Sequence, residues 1–120
     1  MKKNIIKEKS FQFSIKIIKL YKILTSERKE YVMSKQLLRS GTSIGANVSE
    51  ALAAESRKDF LHKLSIAHKE VYETIYWLEL LKETEYICGE KEKEIFSDAK
   101  QINRILSSII KTTKQKINPN

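Results

Sequence analysis

Hydrophobic positions in this chain recur at steps of three and four, in four separate runs. The most regular run is Phe60, Leu64, Ala67, Val71, Thr74, Leu78 and Leu81, which repeats without interruption like a coiled-coil seam. Tyr76, Trp77 and Leu80 broaden it toward the end, while Glu70, Glu73 and Glu79 fall off it. Ser56-Arg-Lys-Asp59 precedes the run with the spacing of a weakened capping box, so the pattern predicts a helix over about 57–83. The run Ile95, Ala99, Ile102, Leu106, Ile109, Thr113, widened by Ile105 and Ile110, predicts another over about 92–114. Its ends suit the helix dipole, with Glu90, Glu92 and Glu94 at the start and Lys111, Lys114 and Lys116 at the finish. Between these two helices, Tyr86–Glu90 reads as a loop hinged at Gly89.

The N-terminal run is less simple. Phe11, Phe13, Ile15 and Ile17 alternate like a strand, but Ile18, Leu20, Tyr21 and Leu24 break the alternation. A helix over about 9–24 accommodates all of them, with Phe13, Ile17, Leu20 and Leu24 on one stripe and Phe11, Ile15 and Ile18 on a second. Lys9, Lys16 and Lys19 take the remaining arc. An apolar arc this wide exceeds what one face of a bundle requires, and predicts burial on two sides, one of them against another subunit.

The fourth run, Met33, Leu37, Ile44, Val48 and Leu52, skips a turn at Ser40-Gly41 and predicts a helix over about 27–54. Ser26 is the expected N-cap, with Glu27 and Glu30 in the first turn. Gly41 and Gly45 each cost roughly 1 kcal/mol against alanine inside a helix, so the close approach of another backbone is expected there. A polar stripe, Gln36, Arg39, Ser43, Asn47 and Glu50, runs beside the apolar one. Arg39 and Glu50 stand three turns apart on one helix and must find partners on other helices or subunits. The stripe therefore reads as a structural or assembly feature, with a ligand surface as the other reading.

Four helices with short connections predict an all-α fold, economically an antiparallel up-down-up-down four-helix bundle in one domain over 1–120. Composition agrees: of 120 residues only three are glycine and one is proline. No apolar run approaches the roughly 20 residues of a membrane span, and the basic N-terminus lacks the features of a signal peptide. Lone Cys88 excludes an intramolecular disulfide and suits a cytoplasmic protein. The net charge of +8 is uneven: residues 1–35 carry ten Lys/Arg against three Glu, and residues 84–120 seven against five. Such a basic surface attracts nucleic acid, an anionic membrane or an acidic protein, or simply confers solubility.

Tests for chemistry are mostly negative. A di-iron bundle needs Glu-x-x-His twice, and the nearest match, Asp59-Phe-Leu-His62, occurs once. His62 and His68 are six apart, not the four of a helical zinc pair. Gly41-x-x-x-Gly45 neither follows a strand nor precedes Lys-Ser/Thr, so it is no phosphate loop. No cofactor is expected. Arg57-Lys-Asp-Phe-Leu-His62 resembles the signature of HEPN-type ribonucleases, although a solvated helix start produces the same spacing.

Gln36-Leu-Leu-Arg-Ser-Gly-Thr-Ser-Ile-Gly-Ala-Asn-Val-Ser-Glu50, followed by Asp59–Ala67 and Glu73–Leu81, resembles the bacterial four-helix-bundle proteins encoded in intervening sequences of 23S ribosomal RNA genes. A related branch is the accessory protein of diversity-generating retroelements, a basic pentamer that binds nucleic acid and a reverse transcriptase. The resemblance covers about residues 10–110. It places Gln36, Arg39, Ser40, Ser43, Ile44, Ala46, Asn47 and Glu50 on the family's pattern, and it implies a cytoplasmic homopentamer with no established enzymatic activity. Ala51 departs from the glycine many members carry, which predicts a firmer continuation of the second helix. The expected function is non-specific nucleic-acid binding, to RNA or DNA, by Lys9, Lys16, Lys19, Lys111, Lys114 and Lys116. A scaffold for a protein partner is the alternative, and an Arg57/His62 ribonuclease ranks below both.

Overall fold

A computed structural model describes residues 4–119. It contains four helices, α1 (Ile5–Ser26), α2 (Met33–Leu52), α3 (Arg57–Glu83) and α4 (Glu90–Ile117), and no strand among the described residues. The apolar stripes meet in one core: Phe13, Ile17 and Leu24 from α1, Leu37, Ile44 and Val48 from α2, and the α3 and α4 seams. Every member of the α3 seam from Leu64 to Leu81 is buried, with Phe60 packed at its edge. On α4 the seam passes through Ile110, and Ile109 is only partly covered. A step of four from Leu106 keeps the straight helix aimed at the core, where a strict heptad would drift.

The turn skipped by the apolar pattern of α2 is filled by Ser40 and Gly41, both buried. They give α1 room to approach. A Cβ on Gly41 would stand 2.8 Å from Cγ2 and 2.9 Å from Cγ1 of Ile17, a fully buried side chain. A Cβ on Gly45 would stand 3.2 Å from both the Ser10 carbonyl oxygen and the Ser14 hydroxyl. Both glycines thus face α1 of the same chain: a backbone at Gly45, as expected, but the side chain of Ile17 and no backbone at Gly41.

The boundary between α1 and α2 differs from the expected one. Ser26 ends α1: its hydroxyl and that of Thr25 bond back to the carbonyls of Lys22 and Tyr21, extending the helix through both residues. Lys29 then takes a left-handed conformation (φ 57°) and the Glu30 N–H reaches back to the Leu24 carbonyl at 2.9 Å. α2 begins only at Met33, and its cap is the Glu30 carboxylate, which accepts from the N–H groups of Val32 (3.0 Å), Met33 (2.7 Å) and Ser34 (2.7 Å). A side-chain acceptor for the orphan amides of the first turn was foreseeable, but its position depended on where α1 stopped.

At its other end α2 stops at Leu52, despite the helix-forming Ala53-Ala54 that follows. α3 packs against α2, and Ser56 caps α3 by accepting from the Asp59 N–H at 3.0 Å. α4 starts at Glu90 from Gly89, whose φ of 114° needs glycine. The preceding loop is anchored by Ile87, buried in the core, and by Arg28, which donates to the Tyr86 carbonyl and lies 3.5 Å from Glu92.

Gly41→Ala should lower stability by about 1 kcal/mol in urea denaturation, because overpacking against Ile17 costs about 1–3 kcal/mol and improved helix propensity returns only about 1. Gly45→Ala, with looser contacts, should stay nearer neutral. Equal losses at both sites would contradict the proposed crowding at Ile17.

Burial alone would raise the Glu30 carboxyl, but the amides of Ser34, Met33 and Val32 and the Ser34 side chain together hold it below its usual 4.5. The folded value is the lower one, so this stabilisation is present above the ordinary value and lost as pH falls through the depressed one. Glu30→Gln should therefore cost about 1–2 kcal/mol at pH 7, and the difference from wild type should shrink in acid. A difference that stayed constant with pH would rule out the carboxylate cap.

Candidate functional site

The six lysines expected to meet phosphates do not form one surface. Lys16 is bound by two carboxylates of α4, Glu94 and Asp98, each at 2.6 Å. The Asp98 hydrogen bond, then that of Glu94, raises the Lys16 pKa above its usual range. Lys9 donates to Gln101 at 3.1 Å. Lys19 is exposed near the start of α4, whereas Lys111, Lys114 and Lys116 are exposed at its end, roughly 30 Å away along the helix. The α1 lysines are partly committed to holding α1 on α4.

The polar stripe of α2 faces α3. Arg39 hydrogen-bonds to Glu73 and stands 3.5 Å from Glu70, and Glu50 pairs with Lys63 at 3.2 Å. Trp77 donates its indole N–H to Glu73 at 3.2 Å. The hydroxyls of Ser40 and Thr74 meet at 3.0 Å in the core, and Thr74 donates onward to the Glu70 carbonyl at 2.7 Å. Ser43 bonds to the Arg39 carbonyl (2.6 Å) and Asn47 to that of Ser43 (2.8 Å), both within the helix, while Gln36 is exposed. Sequence spacing could not name Glu70, Glu73, Lys63 and Thr74 as the partners; the first three signalled only polarity beside the α3 seam, and Thr74 a polar member within it.

Glu70 is the strained member. One of its carboxylate oxygens is buried without a hydrogen bond, and the 3.5 Å approach of Arg39 compensates it only in part. Burial raises its carboxyl, Arg39 opposes, and Glu73 adds to the rise.

Arg57 and His62 are both exposed on the first turns of α3. Five helical positions separate them by about 140° around the axis, so they do not converge on a shared point. Among the described residues no cluster of His, Cys, Asp and Glu could hold a metal ion, and no helix is long and apolar enough to cross a membrane.

An open groove of about 1090 Å³ lies on the outer side of α1 and α2. Phe11 and Ile18 form its ridge, exposed by 62% and 39%, and Thr42, Gly45, Ala46 and Ser49 its shallow floor. Phe11 and Ile18 belong to the second apolar stripe of α1, and none of the described residues covers them fully.

The architecture is that of an all-α, four-helix bundle. Residues 2–108 match the 23S rRNA-intervening sequence proteins, and the chain belongs to that family. It is similar to a protein of unknown function from the S23 ribosomal protein family of Bacteroides thetaiotaomicron VPI-5482, known from a crystal structure at 1.70 Å resolution. The two are 58% identical, over 88% of this chain and 98% of that one, with a TM-score of 0.86. A comparison with curated proteins finds no match.

Arg39→Met should lower stability by about 1 kcal/mol by leaving Glu70 and Glu73 without their counter-charge. Adding Glu70→Gln should recover part of that loss in a double-mutant cycle. Strict additivity of the two changes would show that Arg39 and Glu70 are not coupled.

Proposed function

We propose that this chain is a non-enzymatic assembly module, an antiparallel up-down-up-down bundle that forms a homopentamer and binds nucleic acid non-specifically through basic surface. The opposed numbering of the α1–α4 pairs, Lys9 with Gln101 and Lys16 with Glu94, supports the antiparallel course. The α1/α2 groove carries the assembly reading. A ridge of Phe11 and Ile18 beside a floor of small residues is complementary to a second copy of itself, ridge into floor. Used in both directions at once this patch gives a two-fold dimer; a pentamer requires the ridge of each copy to enter only the floor of the next, a heterologous contact that closes into a ring. Exposed apolar surface of this kind on an otherwise charged protein favours burial against a partner.

Lys111, Lys114 and Lys116 at the end of α4, exposed and in no ion pair among the described residues, support the nucleic-acid reading, since phosphate contact needs charge and no particular base. The lone exposed Cys88 suits a cytoplasmic setting. The same apolar groove also favours a second reading, in which it docks a different protein and the module acts as a scaffold.

Static light scattering should give a mass five times the 14.0 kDa of one chain. Phe11→Glu combined with Ile18→Lys should reduce it to 14.0 kDa with helical circular dichroism unchanged. A single-chain mass for the wild type would remove the assembly reading. Capture of one specific partner protein that persists at high salt, and is lost in the same double variant, would favour the scaffold.

A further inference from the structure

We propose that the outer seam between α3 and α4 is a platform for single-stranded nucleic acid, on which Tyr72 and Tyr76 stack bases and Lys69, Arg104, Lys111 and Lys114 hold phosphates. The proposal rests on the nucleic-acid reading above and gives it a site that the α1 lysines do not supply. The first observation is charge segregation along α4. Its four acidic residues, Glu90, Glu92, Glu94 and Asp98, lie within its first nine positions, and from Ala99 onward the chain has five Lys/Arg and no carboxylate side chain. Three of the four acids are engaged by bases of α1 or the α1–α2 loop, and Glu90 by Lys93. Lys100, Arg104, Lys111, Lys114 and Lys116 are exposed, and none joins an ion pair among the described residues.

The second observation is aromatic. Tyr72 and Tyr76, one turn apart, are exposed by 57% and 55%. Each ring is steadied edge-on by a neighbour, Tyr72 by His68 at 5.1 Å and Tyr76 by Trp77 at 5.2 Å, which reduces the entropy lost when a base stacks. The contact of His68 with Ser107 at 3.0 Å sets the register and brings Tyr72 level with the turn containing Arg104. Lys69 shares the outer side of α3 with both tyrosines, and the α4 bases from Lys100 to Lys114 extend the strip by about 21 Å. Among the described residues, negative charge adjoins the strip at Glu79, one turn beyond Tyr76, and at Glu83, beside Lys82, Lys93 and Lys100. Glu73, on the α2 side of α3, is held by Arg39 and Trp77.

Basic groups beside exposed aromatic faces match a strand whose bases are free to stack, and a duplex hides those faces. The seam also lies apart from the α1/α2 groove, so assembly and binding do not compete for one surface.

The test is fluorescence polarisation at low salt with the full chain and labelled oligothymidylate, oligouridylate and a duplex, each of about 15 nucleotides. Single strands should bind more tightly than duplex, and the two single-strand arms show whether DNA or RNA is preferred. Tyr72→Ala with Tyr76→Ala should weaken binding about tenfold or more, whereas the corresponding Phe pair should retain it. Lys69→Gln, Arg104→Gln and Lys111→Gln together should lower the salt slope by about 2. Binding unaffected by the alanine pair overturns this site and leaves the general nucleic-acid reading standing. No binding to any of the three probes overturns both. A change in light-scattering mass in the alanine pair would make the seam a contact between copies and overturn the platform.

Discussion

The closeness of α1 to α2 governs much of this structure. Gly41 and Gly45 remove two side chains from the face of α2, and Ile17 and the Ser10 backbone occupy the space released. With α1 seated there, Phe13, Ile17, Leu20 and Leu24 point into the core, and the second apolar stripe is turned outward beside the small residues of α2. One contact thus closes the core and creates the exposed groove. The helix propensity sacrificed at two glycines is offset by packing that a larger residue at Gly41 would prevent.

Charge is arranged around the same geometry. Lys16 joins α1 to α4 and Arg39 joins α2 to α3, each through a pair of carboxylates, while Arg28 links the two loops at one end of the molecule. Pairs this exposed contribute little stability singly, but they orient neighbouring helices. Their larger consequence is subtraction. Once the paired groups are set aside, Lys7, Lys19, Lys22, Lys29 and Lys35 remain exposed in the N-terminal part, and the second half of α4 stands out because its five exposed Lys/Arg have no carboxylate side chain among them.

Membership of the 23S rRNA-intervening sequence proteins and the similarity to a structure of unknown function define a fold without defining a reaction. Surfaces are therefore the informative features. An apolar ridge and floor lie on one side, and a basic seam with exposed tyrosines on the other.

Periodicity, with the sparse glycine and proline, determined the helical class and the α3 seam from Leu64 to Leu81, and the Ser-x-x-Asp spacing gave the Ser56 cap, because these depend on interactions a few residues apart. The need for close approach at Gly41 and Gly45 was also legible, since a helical glycine is costly wherever it stands. The identity of what approached was not. Ser26 as the end of α1 instead of the start of α2, Glu30 as the cap, Ile110 in place of Ile109, and Glu70 and Glu73 as partners of Arg39 all required the helices to be in place. Likewise, counting charges could not show that Lys16 is neutralised by Glu94 and Asp98, 78 and 82 residues away. Local patterns report the face a helix must bury, but pairings between helices depend on their mutual register, which only the packed core sets.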